Sequence, residues 1–402
     1  MTVTNHQVSR PMHSLGDVIT ELPWAFDESH EAWRDTIRAF SRDRVAAGAT
    51  QRSIDGQYDP ALVDELARLG TFGLLMAEPH GGGGDLRMLC IAVEELAYFD
   101  SSLAVTAHVA ASSGFLLSKL IEDRPALYDE LVPQLASGEI MACFGLTEPS
   151  GGSDASNVST VARRDGTDWI LDGAKQFITN SGTPRTKYTV VFAKTGESEG
   201  RPAVSAFLVP TDTPGVTVDP AYQKLGWRAS DTHPIFFDSV RLPADALLGD
   251  EGRGMSKALS LLTCARIPFA AIGAGLARAC VDETIRFTQE RHSFGARVID
   301  HQAVGFRIAE MAADTATARL QTYDAAWKYD NGHPFDFEAA ASKLVATEIA
   351  NHVAYQATQL HGGAGFMLES AVTRHYQDAR VLTIAEGTSE VQRMLLARYL
   401  TP

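Results

Sequence analysis

Apolar residues recur with helical spacing from Glu28 to about Gly138. Trp33, Ile37 and Phe40 stand at i, i+4 and i+7, a single stripe on a 3.6-residue helix. Asp59-Pro60 reads as an N-cap followed by proline at the first helical position; Leu62, Val63, Leu66 and Leu69 supply the buried face, and Gly70 closes the helix. Gly81 to Gly84 then interrupt the pattern before a further helical run, Leu86 to Phe99. Between Pro149 and Pro243 the texture changes. Eight of the 17 prolines fall there, among short β-branched runs: Val158 to Val161, Tyr188 to Phe192, Val204 to Val209 and Ile235 to Phe237. Asp165-Gly166 between two extended stretches is a hairpin signal, because both residues tolerate positive φ. From Gly254 helical spacing returns and holds to the end, with a kink expected at Pro268. The pattern predicts a multi-domain α+β chain: an N-terminal α-helical domain (1–140), a middle antiparallel β domain (141–250) and a C-terminal α-helical domain (251–402).

Length agrees, since 402 residues exceed what one hydrophobic core organises. A composition of 45% hydrophobic and 21% charged residues is that of a globular chain. The net charge of −15 disfavours nucleic acid or an anionic lipid surface as the main partner. Four scattered cysteines form no CxxC and suggest buried thiols in a reducing compartment. Met1 to Glu21 is polar and broken by Pro11, unlike a signal peptide. The apolar run Ile267 to Ala277 is too short to span a bilayer, so the expected location is cytoplasmic.

Familiar nucleotide and hydrolase motifs are missing: no GxGxxG after a strand, no GxxxxGK[ST], no HExxH and no GxSxG, and no metal site is read. Five other segments carry candidate chemistry. Cys143 to Asp154 is rich in glycine and hydroxyls, suited either to cradling an anion or planar ring or to an ordinary linker. Gln176 to Asn180, read as a strand, puts Phe177 and Thr179 on one face. Glu290 to Gly295 closes a long helix; its arginine could hold a phosphate or simply complement the macrodipole. Gln359 to Phe366 ends another helix with three glycines in four residues, more than a C-cap needs. In Ile384 to Arg393, Ser389 and Gln392 fit a capping box, so a helix is expected to start at Ser389. Glu386 then lies just before a helix N-terminus between Ala385 and Gly387. Desolvation among such small neighbours is expected to raise its pKa towards that of a general base; the alternative is a solvated loop glutamate.

In this order the segments LTEPSGGSDAS, KQFITNSG, ERHSFG, QLHGGAGF and AEGTSEVQR resemble the acyl-CoA dehydrogenase family over nearly the whole chain, supported by Leu225 to Thr232 and Val240 to Pro243. The resemblance implies a β-barrel-like middle domain, a homotetramer, and FAD held between the β domain and the C-terminal helices. Phe144, Leu146, Thr147, Gly152 and Ser153, with Phe177, Ile178 and Thr179, would line the flavin. Arg291, Ser293, Phe294 and Gln302, with Gln359, Leu360, His361, Gly362 and Gly363, would hold its diphosphate and adenosine across a subunit boundary. Thr388 and Glu390 would contact FAD from the last helix, and Ser153, Arg266 and Gly387 would touch the substrate.

Glu386 matches the family's base, which removes the acyl α-proton while the flavin takes the β-hydride, giving a trans-2-enoyl thioester. Its backbone N–H and an FAD ribityl hydroxyl would bind the thioester oxygen. Electron-transfer flavoprotein is the implied acceptor. Four departures stand out. Ala265 occupies the place where some members carry the base, Thr263 stands near where the family often has an aspartate that meets the CoA adenine, and Ala385 replaces a larger residue beside the base. Phe177 replaces a frequent tryptophan. Thr263 keeps open an acyl group carried on a carrier protein. A flavin oxidase on the same scaffold and a non-catalytic helical scaffold are further alternatives.

Overall fold

The computed structural model describes residues 24–198 and 201–401, with Leu15 and Leu22; the rest of the Met1–Glu21 stretch lies outside the described residues. The N-terminal helices are α1 (Glu28–Phe40), α2 (Ala49–Asp55), α3 (Pro60–Arg68), α4 (Leu86–Phe99), α5 (Ser101–Leu120) and α6 (Pro125–Ser137). Asp59 caps α3 through the backbone N–H groups of Ala61 and Leu62, and Gly70 adopts φ +82° just past the helix end, as the turn there requires.

The sheet holds β1 (Met141–Gly145), β2 (Val161–Asp165), β3 (Asp168–Thr179), β4 (Thr186–Ser198), β5 (Arg201–Pro210), β6 (Val216–Val218), β7 (Thr232–Leu242) and β8 (Leu247–Leu248). Its path runs β6-β7-β3-β2-β4-β5-β8, with β1 also on β4. The Asp165-Gly166 hairpin joins β2 to β3 with Asp165 opposite Asp168. Two expectations need correcting here. The sheet is not wholly antiparallel, since β1 pairs parallel with β4 and β2 touches β4 in parallel at Val161. Of the Val158–Val161 run only Val161 lies within a strand: the N–H groups of Ser159 and Thr160 are taken by the Glu148 carboxylate, while the Thr160 carbonyl still accepts from the Lys194 N–H of β4.

The C-terminal helices are α7 (Gly254–Glu290), α8 (Gln302–Asp330), α9 (Asp336–His361), α10 (Ala371–Leu382) and α11 (Ser389–Leu400). Helix α7 continues through Pro268, the position of the expected kink, where proline leaves the Cys264 carbonyl without its helical donor. The two helical blocks, far apart in sequence, share one apolar core: Ile37, Leu66 and Leu89 belong to the same cluster as Ile272, Val353 and Leu382. Within it a buried ionic knot ties α4, α7 and α8 together. Glu94 meets Arg278 at 3.0 Å, Arg319 at 2.9 Å and the Tyr323 hydroxyl at 2.5 Å. Helices α5 and the Leu262–Glu290 part of α7 are long and apolar enough to cross a bilayer, unlike the short run visible in sequence. With 83% and 94% of those windows buried inside the fold, core packing accounts for their composition. All four cysteines are buried and free.

Where α7 crosses α4, a Cβ at Gly275 would meet the Glu94 carbonyl oxygen at 2.2 Å. Gly275→Ala is therefore expected to cost about 1–3 kcal/mol through forced separation of the helices. Urea unfolding checks this; wild-type stability in the variant would show that the crossing yields freely.

Candidate active site

Between one end of the sheet and helices α5, α7, α10 and α11 lies a cavity of about 1160 Å³. The turn joining α10 to α11 forms part of its wall and is pinned from several sides. The Gln392 amide donates to the carbonyls of Glu386 (3.1 Å) and Gly387 (3.0 Å), Lys343 Nζ donates to the Gly387 carbonyl at 2.7 Å, and the Ser389 N–H reaches the Thr383 carbonyl at 3.0 Å. These bonds hold Glu386 at φ +55°, a left-handed conformation that glutamate adopts only when its surroundings enforce it. Helix α11 does start at Ser389, but the cap is Thr388, whose hydroxyl accepts from the Val391 N–H. Gln392 serves the turn instead of the expected capping box.

The sheet side of the cavity is built around a buried ion pair. Glu148 Oε1 lies 2.6 Å from Lys175 Nζ, and the same carboxylate accepts from the N–H groups of Ser159 (2.5 Å) and Thr160 (3.0 Å). Lys175 also donates to the Phe192 carbonyl at 2.7 Å. Burial pushes the Glu148 carboxyl up, but these donors outweigh it and hold it at about 2; for Lys175 burial wins over the pairing and brings it down to about 8. Lys175 makes further bonds as well, to the carbonyls of Phe192 and Leu146, yet burial weighs more heavily on the ammonium, so the contact registers differently on the two partners. Gln176 ties its N–H to the Thr147 carbonyl and its amide to that of Glu148. The expected simple alternation along this strand fails at Phe177. A bulge between Lys175 and Ile178 puts Phe177 at φ +60°, 58% exposed and tilted against Tyr222 at 5.2 Å.

The electrostatics of Glu386 overturn the expected upward shift. Burial does push its carboxyl up, but His108, Arg266 and Lys343 outweigh that and hold it below the ordinary carboxylate range. His108 Nε2 lies 3.9 Å from Glu386 Oε1, too far for a hydrogen bond but close enough for its field to act. The pair is enclosed: His108 is 1% exposed, and Glu386 keeps 24% of its side chain open. Burial pushes Lys343 down to about 8 even with Glu386 nearby, and likewise lowers Arg266. Arg266 Nη1 donates to Thr263 Oγ1 at 3.3 Å, while its buried Nε has no partner among the described residues. Thr263 is itself bonded to the Leu259 carbonyl, so its identity bears on how Arg266 is held.

The fold gathers one set of the expected residues and leaves another outside. Phe144, Leu146, Thr147, Gly152, Ser153, Phe177, Ile178, Thr179, Arg266, Glu386, Gly387 and Thr388 all line the cavity, as do Ala265 and Ala385. Arg291, Ser293, Phe294 and Gln302 lie instead at the far end of α7 and the start of α8, exposed, with Phe294 97% open. Gln359, Leu360, His361, Gly362 and Gly363 end α9; His361 is buried and stacks on Phe287 at 4.3 Å, near the same end of α7. Glu390 is exposed on α11, outside the cavity wall. Sequence reasoning missed His108 and Lys343. Each sits in a helix otherwise read as core, and for His108 the signal was present: it is the only ionisable residue of α5 before Lys119.

A planar redox cofactor fits this cavity. Gly151 leaves open space where a Cβ would stand within the segment facing it, Gly152 lies close against Thr147, Phe177 leaves much of its ring exposed, and the polar atoms Arg266 Nε and His108 Nε2 are buried without partners. Three family models match the chain: acyl-CoA dehydrogenase N-terminal domain over residues 27–139, middle domain over 143–240 and C-terminal domain over 252–401. The mitochondrial short-chain specific acyl-CoA dehydrogenase of Bos taurus is 37% identical over 97% of this chain and 93% of its own length. Among solved structures, butyryl-CoA dehydrogenase from Megasphaera elsdenii superposes with a TM-score of 0.89 at 34% identity, covering 94% of this chain and 99% of that one. A glutaryl-CoA dehydrogenase from Mycobacterium smegmatis, in complex with FADH2, gives 0.88 at 30% identity over 95% and 97%.

Proposed function

Because the chain belongs to the acyl-CoA dehydrogenase family, we propose that it removes the α- and β-hydrogens of a short saturated acyl-CoA, with Glu386 as the base. The observation that carries this reading is the Glu386 carboxylate, held ionised on a strained turn in the wall of the cavity of about 1160 Å³. An ionised carboxylate accepts a proton; a neutral one would not. FAD, when bound, supplies the acceptor for the β-hydride. Phe144, Leu146, Thr147, Gly152, Ser153, Phe177, Ile178, Thr179 and Thr388 would hold its ring system, and Arg266 and Ser153 would meet the thioester arm.

The Glu386 N–H has no acceptor among the described residues and is the candidate donor to the thioester oxygen, where enolate charge develops. Enclosure of the cavity by α5 and α7 strengthens that bond by keeping water out. The exposed end carrying Arg291, Ser293, Phe294, Gln302 and Gln359 to Gly363 would face the cofactor's diphosphate and adenosine in a second copy of the chain, within a homotetramer. Electron-transfer flavoprotein would be the acceptor. The short chain length rests on likeness to the butyryl-CoA enzyme.

Anaerobic bleaching of the flavin by a panel of saturated acyl-CoA esters tests this reading. Fast bleaching by four- to six-carbon esters, about tenfold or more ahead of sixteen-carbon ones, is the expected result. A flavin-loaded protein that no CoA ester reduces would overturn the CoA handle and direct the assay to carrier-bound thioesters.

A further inference from the structure

We infer that His108 is a positioning residue for Glu386, presenting an Nε2–H to the carboxylate so that the base stays ionised and aimed into the cavity. The inference rests on the dehydrogenase reading for its catalytic meaning, and on the following geometry for its substance. His108 projects from α5 into the cavity wall, 1% exposed. Its Nε2 is fully buried and makes no hydrogen bond among the described residues, although buried polar atoms are rarely left so. The atom it faces is Glu386 Oε1, 3.9 Å away.

The other ring nitrogen fixes the choice of tautomer. Nδ1 lies 3.3 Å from the hydroxyl of Ser112, one helical turn along α5. When that hydroxyl donates to Nδ1, the ring proton sits on Nε2 and points at the carboxylate, which satisfies both nitrogens in one arrangement. Phe269 closes one side of the imidazole edge-on, with ring centroids 6.0 Å apart, and shields the pair from water. A small movement of the glutamate side chain shortens 3.9 Å to a hydrogen bond, as catalytic contacts commonly tighten once substrate is bound.

Other charges also face Glu386: Arg266 from α7 and Lys343 from α9, while Glu390, on α11 just past the turn, opposes them from the surface. Arg266 is partly engaged with Thr263, and Lys343 with the Gly387 carbonyl. Arg266 Nε is likewise buried without a partner, but His108 Nε2 is the atom that lies within 4 Å of the Glu386 carboxylate, at 3.9 Å, which singles it out for this role.

The test compares wild type, His108→Leu, His108→Gln and Ser112→Ala, each checked for native unfolding temperature and flavin content. The Glu386 carboxyl is titrated by infrared difference spectroscopy, its band assigned by loss in Glu386→Gln, and the acid limb of kcat/KM is measured in parallel. Loss of the donor in His108→Leu is expected to move both midpoints up by about one pH unit, with kcat falling more than KM rises. His108→Gln, which keeps an amide N–H at similar reach, is expected to restore most of both; Ser112→Ala is expected to give a smaller shift in the same direction. Unmoved infrared midpoints in His108→Leu would overturn the inference. A wild type that shows the infrared coupling but reduces no flavin would leave the contact standing and overturn the dehydrogenase reading instead.

Discussion

Glu386→Gln is expected to lower the rate of flavin reduction by the preferred acyl-CoA on the order of 10²–10⁴-fold, with flavin content and substrate affinity close to wild type. The amide has the shape of the carboxylate but no proton affinity at the α-carbon. The backbone should not move, because the bonds that hold the turn come from Gln392, Lys343 and Ser389 to main-chain atoms, none to the Glu386 side chain. An effect on kcat without a matching rise in KM therefore reports the lost base and not a lost site. Stopped-flow bleaching under anaerobic conditions measures it. A variant retaining more than about a tenth of the wild-type rate would place the base elsewhere, and Ala265 beside Arg266 has no proton-accepting group to offer.

The second large effect is on stability, at the Glu148–Lys175 pair. Lys175→Met leaves a buried carboxylate facing two backbone N–H groups and no cation; Glu148→Gln leaves a buried ammonium facing carbonyls alone. Breaking a pair of this kind from one side costs about 3–5 kcal/mol. The joint change Glu148→Gln with Lys175→Met is expected to recover much of that, since neither charge then remains to be desolvated. Urea unfolding at pH 7 checks all three.

The acid side carries a further signature. Glu148 is held at about 2 in the folded protein against an ordinary 4.5, so its contribution is complete above about 4.5 and is lost as pH falls towards 2. Glu148→Gln should flatten that part of the stability curve. Single variants within about 1 kcal/mol of wild type would mean that water reaches the pair. Because the Glu148 side chain also ties this cavity-lining segment to the Ser159 and Thr160 N–H groups, loosened flavin binding should accompany the loss.

The order of helix, sheet and helix was legible in the sequence because it depends on local periodicity: 3.6-residue stripes such as Trp33-Ile37-Phe40, and β-branched runs such as Tyr188–Phe192. So were most of the cavity residues, as resemblance in short motifs places Phe144 to Ser153, Phe177 to Thr179 and Glu386 together. The errors share one cause. The β1–β4 parallel pairing and the bulge at Phe177 are set by neighbours distant in the chain, not by the residues on either side.

The charge of the base follows the same rule. Ala385 and Gly387 flank Glu386 in sequence and suggested a carboxyl pushed up by burial. The groups that decide its protonation stand 43 to 278 positions away, at Lys343, Arg266 and His108. By itself, then, the sequence determined the succession of elements, the family motifs and the position of the proposed base, all of which are written in contiguous residues. Only the tertiary structure decided which charges surround that base and which side of neutrality it rests on. Coulomb interactions act through space over a few ångströms, and chain order carries no measure of that distance.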